Sequence, residues 1–157
     1  MRISHRSEAL KIEDDPAEFF KANMHHFPHF NALGLELMEL KKDACVMRLV
    51  QREELLGDSE RGILHGGVIT TLLDSVAGAA GFCGMEPGHT LATLDLRIDY
   101  LRPSRPKFDV FGKAEIYRRT RNVAFATGVA YQEDEDQPIA KCTASFMISP
   151  LPGGTQG

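Results

Sequence analysis

Between Val68 and Cys83 the chain reads VITTLLDSVAGAAGFC, and Asp74 is the only charge in that stretch. Apolar residues (Val68, Ile69, Leu72, Leu73, Val76, Ala77, Ala80, Phe82) cover most of a helical circumference. A helix over residues 66–83, about 27 Å long at 1.5 Å per residue, therefore has to be enclosed by the rest of the chain. The small residues from Ala77 to Gly81 let a sheet or second helix approach it closely. The run falls short of the roughly 20 apolar residues a membrane span needs, so no membrane association is expected. An ionised carboxylate moved from water into apolar packing loses several kcal/mol of solvation unless something compensates, which makes Asp74 the first candidate for function.

The flanking patterns place that helix in an α+β domain. Residues 16–27 (PAEFFKANMHHF) begin with Pro and stop at Pro28, as a short amphipathic helix does. Residues 33–40 and 44–50 form a candidate hairpin around Lys41-Lys42-Asp43, and 51–62 reads as a connecting loop with at most one helical turn. After the turn at 86–89 the period changes to two. Leu94, Leu96, Ile98 and Tyr100 alternate with Asp95, Arg97 and Asp99, and three more strands follow near 108–116, 123–131 and 138–148. The connections RPSRP, RRTRN and EDEDQ are short enough for neighbouring antiparallel strands, so a four-strand meander is expected. The predicted architecture is a curved antiparallel sheet wrapped around one long central helix. The expected organisation is an N-terminal extension with a short helix over 1–29, one domain over 30–149, and a disordered Gly/Pro-rich tail over 150–157.

Composition narrows the function classes. At 157 residues, with 43% hydrophobic and 25% charged residues, the chain has the makeup of one globular domain. A formal charge of −4 argues against nucleic acid as a partner. The charge is uneven, however: Arg97 to Arg121 holds eight Lys/Arg against Asp99, Asp109 and Glu115, so this segment can meet an anion. Cys45, Cys83 and Cys142 are widely spaced in apolar sequence, as reduced core thiols are. No secretory signal opens the chain, so a cytoplasmic location is expected.

The segment Gly62-Ile63-Leu64-His65-Gly66-Gly67, an Asp nine residues after the His, and the stretch from Thr93 to Tyr100-Leu101-Arg102-Pro103 together resemble the hotdog-fold acyl-CoA thioesterases of the phenylacetate-degradation (PaaI-like) group. The resemblance spans roughly residues 30–148. It implies a hotdog fold and hydrolysis of an acyl- or aryl-CoA thioester to free CoA and a carboxylic acid. By that resemblance the Gly66 N–H polarises the thioester carbonyl beside Gly67, and Asp74 of the opposite subunit activates water or attacks as nucleophile. Thr93 helps hold the water, and Ser59 stands where relatives carry Asn or Gln near the carbonyl. No cofactor or metal is implied, coenzyme A being part of the substrate. The implied assembly is a homodimer, pairing further into a dimer of dimers.

Elementary geometry leads to the same requirement for two chains. Uncommitted N–H groups at a helix N-terminus are preorganised donors for a developing oxyanion, and glycine at 66 and 67 leaves them uncovered. Yet Gly67 and Asp74 lie about 10 Å apart along the axis, whereas a base or its water works within about 3 Å of its partner. Seven residues make nearly two turns, so both ends share a face. An antiparallel copy crossing near Thr70 and Thr71 would bring each Asp74 to the other chain's Gly66, giving a two-fold dimer with two shared sites.

The remaining candidates divide between structure and function. His65 reads as a residue that positions the helix N-terminus. His25, His26 and His29 lack metal-ligand spacing, so no metal is expected. Arg118, Arg119 and Arg121 are either solvated turn residues or, with Arg102, Arg105 or Lys107, partners for coenzyme A phosphates. Two other functions fit the same fold: a hotdog dehydratase, which needs a paired His and acid, and a non-catalytic acyl-CoA sensor.

Overall fold

The computed structural model describes residues 16–151; of the tail over 150–157 for which the sequence predicts disorder, Pro150 ends a strand, and residues 152–157, like 1–15, lie outside the described residues. The order is α1 (Pro16–Asn23), α2 (Pro28–Leu33), β1 (Leu35–Lys41), β2 (Ala44–Leu49), β3 (Leu56–Asp58), β4 (Ile63–Leu64), α3 (Gly66–Cys83), β5 (His89–Tyr100), β6 (Val110–Arg119), β7 (Val123–Tyr131) and β8 (Ala140–Pro150). Six strands form one antiparallel sheet in the order β1-β2-β6-β7-β8-β5, and β3 and β4 make a separate two-stranded ribbon. The sheet wraps α3, whose Leu72, Leu73, Val76, Ala77 and Ala80 are completely buried. This is the sheet wrapped around a central helix that the sequence patterns predict, and it is the hotdog fold that the resemblance implied.

Close contact between helix and sheet depends on Gly112 in β6. A Cβ built there would stand 2.8 Å from Leu72 Cγ, so any side chain would push the helix off the sheet. Alternating burial along β7 and β8 supplies Ala124, Ala126, Ala130, Ala140 and Phe146 to the same core.

Several expectations from the sequence need correction. The predicted helix over 16–27 ends as α1 at Asn23 and passes through a single 3-10 turn at Met24–His26. Pro28 does not stop a helix but starts α2, where its missing N–H costs nothing; Gly34, in the left-handed conformation, ends it. The loop expected over 51–62 holds its one helical turn at Glu53–Leu55 and also β3, which pairs with β4 just beyond it. The meander is incomplete, because β5 pairs with β8 at the sheet edge instead of with β6. The β5–β6 connection is a crossover fastened by buried polar side chains. Ser104 Oγ accepts from the Leu64 N–H at 2.9 Å, and Gln132 bonds the backbone of Arg105 and Phe108. Such satisfied buried groups hold an irregular segment in one path.

The phase of β5 also differs from its sequence pattern. A bulge between Thr93 and Asp95 turns Leu94 outward, 52% exposed, although simple alternation puts it on one face with Leu96. The extra residue lets Leu91 and Thr93 face inward before the bulge and Leu96 after it.

Replacing Gly112 with Val should cost about 1–3 kcal/mol of stability, the usual penalty for overpacking. A lower urea midpoint with unchanged slope would show it; an unchanged midpoint would mean that α3 is not held so close.

Candidate active site

The N-terminus of α3 is built by His65, whose extended backbone (φ −62°, ψ 135°) makes it the cap. Its N–H donates to the Leu55 carbonyl at 3.0 Å, which ties the cap to the residue just before the β3–β4 ribbon. Its Nδ1 accepts from the Gly67 N–H at 2.9 Å, so that nitrogen carries no proton. The Val68 N–H donates to the His65 carbonyl at 3.0 Å. Of the first three N–H groups of the helix, two are therefore spent, and only that of Gly66 has no partner among the described residues. Glycine suits position 67 because a Cβ there would crowd His65 Nδ1 at 3.0 Å.

Tyr100, at the end of β5, completes this corner. Its hydroxyl donates to the Gly66 carbonyl at 2.8 Å and lies 2.5 Å from Thr70 Oγ1, which itself bonds the Gly66 carbonyl at 3.2 Å. The first turn of α3 is thus held from both sides. Sequence alternation marks Tyr100 only as a strand residue; its role comes from a strand and a helix meeting at that point, which no local pattern encodes.

Asp74 sits on the least buried line of α3, together with Thr70, Thr71, Ser75 and Gly78. That line borders a cavity of about 540 Å³ between α1, α2, α3 and β5. Thr93 Oγ1 donates to Asp74 Oδ1 at 3.0 Å, and the second carboxylate oxygen has no partner among the described residues. The acid is half-buried rather than sealed in apolar packing, so opening onto the cavity meets the solvation cost that its sequence context implied. Thr70 and Thr71 bond the carbonyls of Gly66 and Gly67, so neither serves as a structural partner for Asp74. Burial, and then the nearby Asp74 carboxylate, push the Cys142 thiol up to about 11. His29 also borders the cavity, but no hydrogen bond links it to Asp74.

The other predicted residues are scattered. Ser59 is exposed in the β3–β4 turn, outside the cavity. Arg119 Nη2 donates to Asp43 Oδ1 at 2.5 Å and to the Gly81 carbonyl at 3.0 Å, while its Nε and Nη1 are buried. It fastens the C-terminal end of α3 to the β1–β2 turn. Arg118 and Arg121 are exposed. Arg102, bonded to Gln137 Oε1 at 3.3 Å, borders a separate polar pocket with Arg105 and Glu133.

Residues 61–139 match the family described as the Thioesterase superfamily. The chain belongs to that superfamily. It is 30% identical over 138 residues, 80% of this chain and 88% of the relative, to the medium/long-chain acyl-CoA thioesterase YigI of Escherichia coli. Among solved structures, a Pseudomonas aeruginosa protein is 40% identical, with a TM-score of 0.74 over 83% of this chain and 97% of that one. The phenylacetic acid degradation protein PaaI of Thermus thermophilus, solved as a point mutant, is 26% identical, with a TM-score of 0.67 over 76% and 97% of the two chains. The thioesterase is thus a PaaI-like thioester hydrolase on a hotdog fold, as the HGG motif, the spaced Asp and the YLRP strand end implied.

Removing the Tyr100 hydroxyl with Tyr100→Phe should lower the thioesterase's kcat about tenfold, the equivalent of one lost hydrogen bond, with little change in KM. Steady-state kinetics beside a melting curve would check this; an unchanged kcat would show that the helix start is held without Tyr100.

Proposed function

We propose that the chain hydrolyses acyl-CoA thioesters to coenzyme A and a carboxylic acid, at sites shared by two subunits. The observation that carries this reading is the division of donors on α3: one uncommitted N–H at Gly66, and one carboxylate at Asp74 with a free oxygen facing a cavity. The substrate class is supported by the naming of the similar Escherichia coli protein as an acyl-CoA thioesterase.

Asp74 accepts a proton from water as the water oxygen bonds to the thioester carbon. Thr93 holds the carboxylate so that its other oxygen points to that water. The carbonyl oxygen becomes an oxyanion facing the Gly66 N–H of the partner subunit, where the helix dipole also favours negative charge. Collapse of this intermediate breaks the C–S bond, and Asp74 returns the proton to the departing sulfur. His65 acts by positioning, since its Nδ1 is engaged with Gly67. No metal or cofactor enters these steps. Arg118, Arg121 and Arg102 are the exposed cations assigned to the coenzyme A phosphates.

Sharing of the site is supported by the unbroken helix between Gly66 and Asp74, which keeps the two groups of one chain apart. A dimer is further supported by β5, a twelve-residue edge strand with no partner on its outer side among the described residues. Leu94 and Tyr100 on it are more than half exposed. Unpaired edges of this length invite pairing with another chain.

Two variants test the reading together. Gly66→Pro removes only the N–H: position N1 tolerates proline, His65 already has the extended backbone that precedes one, and a Cβ at 66 meets nothing closer than 3.6 Å. It should lower kcat by about 10²–10³, and Asp74→Asn by about 10²–10⁴. Co-expressed, the two inactive chains should recover about a quarter of wild-type activity, because mixed dimers hold one intact site of two. No recovery from well-folded mixed dimers would place both groups in one subunit's site.

A further inference from the structure

The cavity beside Asp74 extends well beyond what hydrolysis needs. It runs along α3 from Thr70 to Phe82, and its far end is lined by aromatic rings from the N-terminal segment. Phe19 and Phe20 of α1 each have ring centroids 6.1 Å from that of Phe82, and Phe27 and Phe30 stand 5.7 and 6.2 Å from Phe20. Phe20 is only 6% exposed and belongs to the core, whereas Phe27, 40% exposed, forms the outer edge of this wall. Thr70, Thr71, Ser75 and Thr93 gather at the Asp74 end, while the rest of the lining carries rings, the small side of the helix at Gly78 and Ala79, and two polar side chains, Thr90 and His29.

We infer that Gly78 and Phe82 set the length of the acyl chain that this cavity receives. The inference rests on the proposed hydrolysis at Asp74 and identifies the acyl group that hydrolysis selects. Asp74 to Phe82 is eight residues, about 12 Å along the axis. An extended chain advances about 1.2 Å per bond, so about ten carbons reach from the thioester to the end wall. Gly78 stands one turn beyond Asp74. A Cβ placed there would have only the Phe146 ring within 4 Å, at 3.9 Å, so the floor of the channel is open at this point because no side chain fills it. The chain is received by the subunit that contributes Asp74, and the carbonyl donor comes from the other.

The test is a profile of kcat/KM against acyl length, from C2 to C16, for the wild type, Gly78→Leu and Phe82→Ala. In the wild type kcat/KM should rise about fourfold per methylene up to about ten carbons and then level or fall. Gly78→Leu, which keeps a good helix former in place, should move the break to about five carbons. Phe82→Ala should move it to longer chains by about four. Binding of non-hydrolysable S-alkyl-CoA thioethers of the same lengths reads the break without turnover. If no thioester of any length is cleaved, the hydrolysis reading fails, and the thioether profiles still decide whether the cavity measures chains. Breaks that stay in place in both variants, or flat profiles in the wild type, would overturn the roles of Gly78 and Phe82.

Discussion

Burial of α3 is the constraint from which the rest follows. Its Leu72, Leu73, Val76, Ala77 and Ala80 are without solvent contact, and fully burying each large apolar side chain is worth about 1.5–3 kcal/mol. Once the sheet occupies the apolar sectors of the helix, its few polar residues have one remaining direction, toward the space under α1 and α2 beside β5. Thr70, Thr71, Asp74 and Ser75 all border that cavity. The site is thus the side of the central helix that the sheet leaves uncovered.

The same economy governs the start of the helix. Free N–H groups at a helix N-terminus are normally satisfied by caps or water. Here His65 spends two of the first three on itself, through Nδ1 and its carbonyl, and Tyr100 holds the Gly66 carbonyl. Gly66 N–H is left as a single donor in a fixed direction. A donor fixed beforehand needs no reorganisation when charge develops, which is the larger part of what such groups contribute to catalysis.

How much of this is legible in the sequence depends on the range of the interaction involved. The helix, its His cap and the isolated acid are local features, set by a 3.6-residue period and by residues adjacent in the chain, and they stand where the sequence places them. The bulge at Leu94 is a one-residue change of phase, decided by pairing with β8, and simple alternation carries the wrong face through it. The placement of β5 at the edge depends on Ser104, Gln132 and their distant backbone partners. Pro28 is ambiguous in the sequence because proline is equally at home after one helix and at the start of the next. The aromatic wall escapes a local reading for a related reason. Phe19, Phe20 and Phe27 read as the apolar side of a short helix and Phe30 lies beyond its predicted end; only tertiary packing brings Phe19 and Phe20 to Phe82, with Phe27 and Phe30 against Phe20.

The rigidity of α3 decides what kind of motion can complete the proposed reaction. Gly66 and Asp74 lie on one continuous helix, eight residues and about 12 Å apart, with the intervening turns packed against β2, β6 and β7. A lid can close over such a pair, but no hinge within the helix can bring the two groups together without breaking backbone hydrogen bonds and exposing the core. Thr93 and Gly66 are also exposed in the single chain, so neither half of the site excludes water by itself. In the proposed two-subunit site the missing cover and the missing reacting group are one requirement, which a second copy would meet by laying its own helix start over the first chain's acid.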